Sequence, residues 1–429
     1  MRASSNLRVF FYDPSGHGGI CHYTHQLADN LARLGVDATI LTSEGYELDH
    51  LSRDFKLKVL FKKSKIKNLA VNFINQAPSS LFHRTNNGNG RNPFDRPILQ
   101  AEEGFQVPGF LKILRLRFLL YKAAISLVYH RPDVIHIQWL IDRNEDYKFI
   151  RLLKWLGFTI VYTVHDILPQ GAEAHPDHEA IKKIYDRVDA IIVHAAGSKK
   201  EILSLFNLDH SKIHVIPHGS NELFYMNKPV SKEIARKELG IPPAKKVILF
   251  FGIIKRYKGL EYLVEAFQEI KKQVSNAILL VVGSIYDRDV EGFRYYSRLI
   301  DEIRTRDDVM CVPDYIPFEK IGPYFCAADV VVLPYTKTYT SGVLLAAYAA
   351  GRPVVVTNTG ASREVVESGR SGIVVPPRDS KALSEAIVEI VNSSDMEEMG
   401  KYAKHLAETR YSWRNVALKT TDLYRSLTV

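Results

Sequence analysis

Short runs of consecutive β-favouring apolar residues alternate with helical patterns along both halves of this chain, and that rhythm narrows its fold sharply. In the first half the runs are Leu7–Tyr12, Ala38–Thr42, Val134–Ile137, Thr159–Val164, Ala190–Val193 and His214–Ile216. In the second they are Val247–Phe251, Ile278–Val282, Val309–Val312, Val330–Leu333, Val354–Thr357 and Ile373–Val375. Unbroken apolarity, as opposed to strict alternation, marks strands buried on both faces. Helical patterns lie between them, among them Ile20–Leu34, Asp177–Arg187, Leu260–Val274, Phe293–Arg306, Phe318–Ala327, Gly342–Ala350 and Ser380–Asn392. Alternating strand and helix predicts α/β architecture, with parallel sheets covered by helices. Two such stretches in 429 residues predict two Rossmann-like domains facing across a cleft. The boundary is expected near Asn221–Lys245, which holds Pro229, Pro242 and Pro243 and has no strand pattern. That gives one domain over 1–220, a second over 221–410, and a terminal helix over 411–429 expected to cross back onto the first.

Parallel sheets bind ligands beyond the carboxyl ends of their strands, so the residues just after each strand are the candidates. Asp13-Pro14-Ser15-Gly16-His17-Gly18-Gly19-Ile20 follows the first strand and opens a helix. Gly18 and Gly19 would let a ligand approach the backbone, and free N–H groups at a helix start attract anions. A plain tight turn explains the same residues. His17, Cys21, His22 and His25 stand nearby without a second ligand cluster, so no metal site is predicted. His165, after the strand ending near Val164, is placed to hydrogen-bond a ligand hydroxyl; core burial is its alternative. Its neighbour Asp166 would orient the ring or meet a second substrate.

The second half carries the stronger signal. Its first strand runs into Gly252 and then Lys255, Arg256 and Lys258, three cations where a diphosphate would sit. A charge run is more often a solvated face. Further on, Thr340-Ser341-Gly342-Val343 opens a helix of small residues whose N–H groups would meet the same anion. The two hydroxyls either cap that helix or bind phosphate. Asp287-Arg288-Asp289 mimics a metal-binding acidic triplet but stands in a loop of the wrong architecture, and is read as solvated surface.

Several segments in order resemble the retaining glycosyltransferases of the GT-B fold. They are Gly18-Gly19-Ile20, Val215-Ile216-Pro217-His218-Gly219, Gly252 with Lys258-Gly259-Leu260, Ala349-Ala350-Gly351-Arg352-Pro353-Val354-Val355, and Gly360-Ala361-Ser362-Arg363-Glu364-Val365-Val366. The resemblance covers nearly all of the chain except about 47–131. It implies a nucleotide-diphosphate sugar donor held mainly by the second domain, and no metal or other cofactor. The family's lysine matches Lys258 and its histidine His165. The family's arginine has Ile253 in its place, with Lys255 or Arg256 as the substitute. The base is expected near Ser284, Tyr315 and Ile316. Two glutamates usual in the family fall at Thr338 and Ala346, so the usual ribose and sugar contacts are missing.

The implied activity is retaining transfer of a hexose to a glycan, lipid-linked or small-molecule acceptor, in cell-envelope polysaccharide or glycolipid synthesis. A sugar-nucleotide epimerase of similar fold and a degenerate nucleotide-sugar-binding protein are the rivals. The first would need an acid/base pair not evident here, and the second is favoured only by the missing glutamates. A net charge of +9 suits anionic partners. Part of it lies in Lys56–Lys67, and part in the apolar stretch Phe110–His130, which carries Lys112, Arg115, Arg117 and Lys122. That stretch suits either an anionic membrane surface or packing on its own domain with solvated cations. Recognised nucleic-acid modules are missing, so nucleic acid is not an expected partner. Three scattered cysteines and no apolar run of spanning length point to a cytoplasmic protein, free or on the inner face of the membrane.

Overall fold

The computed structural model describes residues 6–61, 109–168, 178–220, 230–286 and 290–428. Strands β1 (Arg8–Tyr12), β2 (Asp37–Ser43), β3 (Lys56–Phe61), β4 (Val134–Ile137), β5 (Thr159–Thr163), β6 (Ala190–Val193) and β7 (Ile213–Val215) form one sheet, in the order β3-β2-β1-β4-β5-β6-β7. Strands β8 (Lys246–Phe251), β9 (Ala277–Val282), β10 (Val309–Val312), β11 (Val330–Leu333), β12 (Val354–Thr357) and β13 (Gly372–Val375) form a second, in the order β10-β9-β8-β11-β12-β13. β1 runs parallel to β2 and β4, and β8 runs parallel to β9 and β11. Both orders step outward to one side and then to the other, as doubly wound Rossmann sheets do. The chain therefore reverses direction of travel between β1 and β4, and again between β8 and β11. These are the points where such sheets leave room for a ligand.

Packing divides the chain into two compact units, Met1–Ile160 with Ala180–Val188, and Val161–Glu179 with Asp189–Val429. The second shows why its strands read as unbroken apolar runs. Val247 and Leu249 of β8 belong to one core cluster, whereas Ile248 and Phe250 belong to another. Successive side chains of a strand point to opposite faces, so a sheet covered on both faces requires apolar residues at every position. The stretch read as a linker holds a helix, Lys232–Glu238, which is bound into this core. Its Arg236 is buried, donating to Asp329 at 2.7 Å and to the Ala327 carbonyl at 3.0 Å.

In the first unit, Lys56–Phe61 forms strand β3, where the sequence shows only a charge run. It lies at the edge of the sheet, where lysines deter pairing with other chains. Helix Gly109–His130 follows the undescribed segment. Residues 62–67, Pro229 and Asp287–Asp289 lie outside the described residues. Among the described residues, no helix is long and apolar enough to cross a membrane.

Candidate active site

Four loops leave the carboxyl ends of β8, β9, β11 and β12, and glycines let them pack together. Gly252 has φ +116° and Gly283 φ +137°, and a Cβ on Gly283 would overlap the Gly252 carbonyl. Gly259 (φ +66°) lies against the Pro334 carbonyl after β11 in the same way. The Thr336 N–H donates to the Tyr257 carbonyl at 2.8 Å, joining the loops after β8 and β11. Lys258 is thereby fixed beside the reversal point of the second sheet.

The Lys258 ammonium lies 3.8 Å from the centroid of the Tyr335 ring and 5.3 Å from that of Tyr257. Burial pushes its pKa below the usual lysine value, while Tyr257 and Asp166 act to raise it. The two rings hold the cation through their negative faces. Asp166 also raises the pKa of Tyr339, which burial pushes to about 12. Neighbouring residues in sequence do not share this environment. Arg256–Lys258 is a single 3-10 turn, and at three residues per turn successive side chains diverge. Lys255 lies over the Tyr286 ring at 4.9 Å, and exposed Arg256 acts on Glu261 and Tyr296.

The helix Gly342–Ala349 begins opposite this loop, with Val343 3.7 Å from where a Cβ on Gly252 would lie. Ser341 is its N-cap, and its hydroxyl accepts from the Leu344 N–H at 3.3 Å. The capping role anticipated for that hydroxyl is therefore filled. Thr340 and Ser341 line a small enclosed space together with His194 and His218. Thr338 donates to the Thr340 carbonyl at 3.0 Å, and Ala346 is buried in the core on the inner face of the helix. Ser284 follows β9, and exposed Tyr315 and half-buried Ile316 follow β10.

His165 is joined to a row of histidines. His194 is buried with its Nδ1 3.0 Å from the Ile216 carbonyl, which can only accept. Its proton is therefore on Nδ1, leaving Nε2 to accept from His165 Nδ1 at 3.4 Å. His218 stacks edge-on against His194 at 5.3 Å. Burial lowers the pKa of His194 to about 3 and that of His218 to about 4, so both are neutral. Sequence reasoning did not find this row, nor the Tyr257–Tyr335 cage. Nothing in a local string shows that side chains dozens of residues apart converge.

Another long-range link is the carboxylate of Glu364. It accepts from the Ala196 and Gly197 N–H groups at 2.8 and 2.6 Å, capping helix Ala196–Phe206, whose own N-cap, Ala195, has no side-chain cap bond.

Gly18 and Gly19 lie in the first unit and open helix Gly18–Arg33. The Gly18 N–H donates to Glu47 Oε2 at 2.7 Å, and Glu47 Oε1 lies 3.2 Å from His22 Nε2. His25 bonds the Tyr46 hydroxyl at 3.1 Å, and burial lowers its pKa to about 4. Burial and nearby carboxylates keep the Cys21 thiol protonated. Among the described residues, no group of three or more His, Cys, Asp or Glu could hold a metal ion.

Residues 17–222 match the family model described as Glycosyltransferase Family 4, and residues 245–393 match that of the glycosyl transferases group 1. The chain is 30% identical over 305 residues to a D-inositol 3-phosphate glycosyltransferase of Corynebacterium urealyticum, covering 69% of this chain and 72% of that one. Among solved structures, sucrose-phosphate synthase from Thermosynechococcus elongatus superposes with a TM-score of 0.73 at 21% identity, over 98% of this chain and 99% of that one. Anabaena HepE, solved with UDP-glucose, gives 0.71 at 16% identity, over 98% and 100%. The reversal-point geometry of both sheets, the two family models and this relative agree: the chain belongs to the group 1 glycosyltransferases, with their GT-B fold of two Rossmann-like domains.

Proposed function

We propose that this glycosyltransferase moves a hexose from a nucleotide-diphosphate sugar, with retention of anomeric configuration, to a glycan, lipid-linked or small-molecule acceptor in cell-envelope polysaccharide or glycolipid synthesis. The observation that carries the reading is the caged Lys258 ammonium at the reversal point of the second sheet, in the loop whose Gly252 faces Val343 at the start of helix Gly342–Ala349. HepE, of the same fold, binds UDP-glucose.

In this reading the bond from the anomeric carbon to the diphosphate oxygen breaks as the bond to the acceptor oxygen forms on the same face. The acceptor's proton passes to the leaving phosphate oxygen. Negative charge grows on the diphosphate, and Lys258 and the N–H groups at Gly342 and Val343 stabilise it there. Lys255, over the Tyr286 ring, and exposed Arg256 add positive charge from the same loop. His165, held by His194, positions the donor sugar. Ser284, Tyr315 and Ile316 meet the base. The lysine and helix start supply the charge that a metal provides elsewhere, so the reaction needs no metal.

The Lys258→Ala variant tests this. It should lower donor hydrolysis and transfer by roughly 100-fold or more, the usual size for removing a preorganised charge partner. An unchanged rate would sink the diphosphate assignment. A chelator should leave wild-type activity unaltered.

A further inference from the structure

Helix Gly109–His130 is apolar on two opposite faces. Leu120, Ala123, Ala124 and Leu127 are buried within the first unit. On the opposite side Leu111, Leu114, Phe118, Tyr121, Ile125 and Tyr129 are exposed, with Phe118 at 63%, Ile125 at 70% and Tyr129 at 81%. They recur three or four residues apart, which places them in one stripe along the helix. At 22 residues the helix is about 33 Å long, so the stripe is a sizeable apolar surface. It is also tied to helix Arg143–Trp155, where Glu145 accepts a two-point bond from Arg117 at 2.7 and 2.9 Å.

Charge decides what such a stripe fits. The helix contains no aspartate or glutamate. Arg115 and Lys122 fall along one margin of the stripe, and the Lys122 ammonium lies 6.0 Å from the Phe118 ring. The neighbouring edge strand β3 adds Lys58, which reaches His130 at the end of the helix, whereas Lys56 is paired with Asp37 at 2.7 Å. A second copy of this chain laid face to face would bring these cations together with no carboxylate on the helix to answer them. An anionic lipid surface answers both the cations and the apolar row. Apolar side chains enter the acyl boundary, the aromatic rings sit at headgroup level, and the cations meet phosphate.

We propose that the outward face of helix Gly109–His130 docks this protein on an anionic membrane surface. The surface belongs to the first unit and is separate from the transfer chemistry. The experiment is sedimentation of the full chain with vesicles of phosphatidylcholine, with and without phosphatidylglycerol. Wild type should pellet with the phosphatidylglycerol vesicles roughly tenfold or more better than with phosphatidylcholine alone. Phe118→Ser combined with Ile125→Ser should lose binding to both. Arg115→Glu combined with Lys122→Glu should lose the preference for the anionic lipid, with its melting temperature in solution unchanged. The proposal is overturned if wild type stays in the supernatant, or if both double variants pellet like wild type. It is equally overturned, in favour of self-association, by a dimer that the Phe118 and Ile125 changes abolish without any vesicle binding.

Discussion

Lys258 is the residue on which opposing effects meet. Burial disfavours its charge, and Asp166 and Tyr257 restore part of it. If the charged form carries transfer, activity should fall on the alkaline side at a lower pH than an ordinary lysine would impose. Asp166→Asn removes one restoring charge, so the alkaline limb of the kcat/KM profile should move to lower pH still. A limb that stays in place would mean that Asp166 does not act through Lys258. His194 bears on a different property. Its native pKa of about 3 lies below that of the unfolded side chain, near 6.5. The unfolded chain therefore takes up the proton first, and stability present above about pH 6.5 is lost as pH falls toward 3. The melting temperature of His194→Asn should accordingly fall less than that of wild type between about pH 7.5 and about pH 5. The same variant should raise the KM for the donor, because the Nδ1 partner that orients His165 is gone. A loss of stability with KM unaltered would assign His194 a purely structural role.

At the scale of elements, sequence reasoning succeeded where the cause is local. Val134–Ile137, Ala190–Val193, Val309–Val312, Val330–Leu333, Val354–Thr357 and Ser380–Asn392 have the bounds their own residues suggest. Continuous apolar runs and an N-cap such as Asp379, bonded to the Ala382 N–H at 2.9 Å, act over a few residues. It failed at β3, whose lysines hide an edge strand. Nor did it show that Lys255 and Lys258 rest on different rings, Tyr286 for the first and Tyr335 for the second. The cap of helix Ala196–Phe206 was invisible for another reason: its carboxylate comes from Glu364, 168 residues from Ala196. Glu364→Ala should cost about 1–2 kcal/mol in denaturant unfolding, as loss of a helix cap does, with faster amide exchange at Ala196 and Gly197. A cost of only a few tenths would show that water replaces the carboxylate without penalty.

For the whole molecule, ligand binding and folding are linked. A ligand that binds only the native state at about 100 times its Kd adds about 2.7 kcal/mol of stability. A nucleoside diphosphate should thus raise the melting temperature of wild type by several degrees and leave Lys258→Ala nearly unmoved at the same concentration. Protection from hydrogen exchange should concentrate at 252–259 and 341–344. Protection spread evenly over both sheets would place the ligand elsewhere.

Apart from β3 and helix Lys232–Glu238, the alternation of strands and helices, the parallel α/β class and the loops that hold the candidate residues follow from the sequence alone. They depend on periodicity, on glycines at positive φ and on the general rule that parallel sheets bind at their carboxyl ends. The environment of each side chain was decided only by tertiary structure. Lys258 lies in a tyrosine cage, His165 is tied to His194, and Ser341 caps its own helix. Helix Gly109–His130 illustrates the division most fully. Its sequence permits either packing on its own domain or a face for a membrane. The fold buries one side and leaves the opposite side open, because a single layer of neighbours covers only part of a helix that is apolar nearly all round.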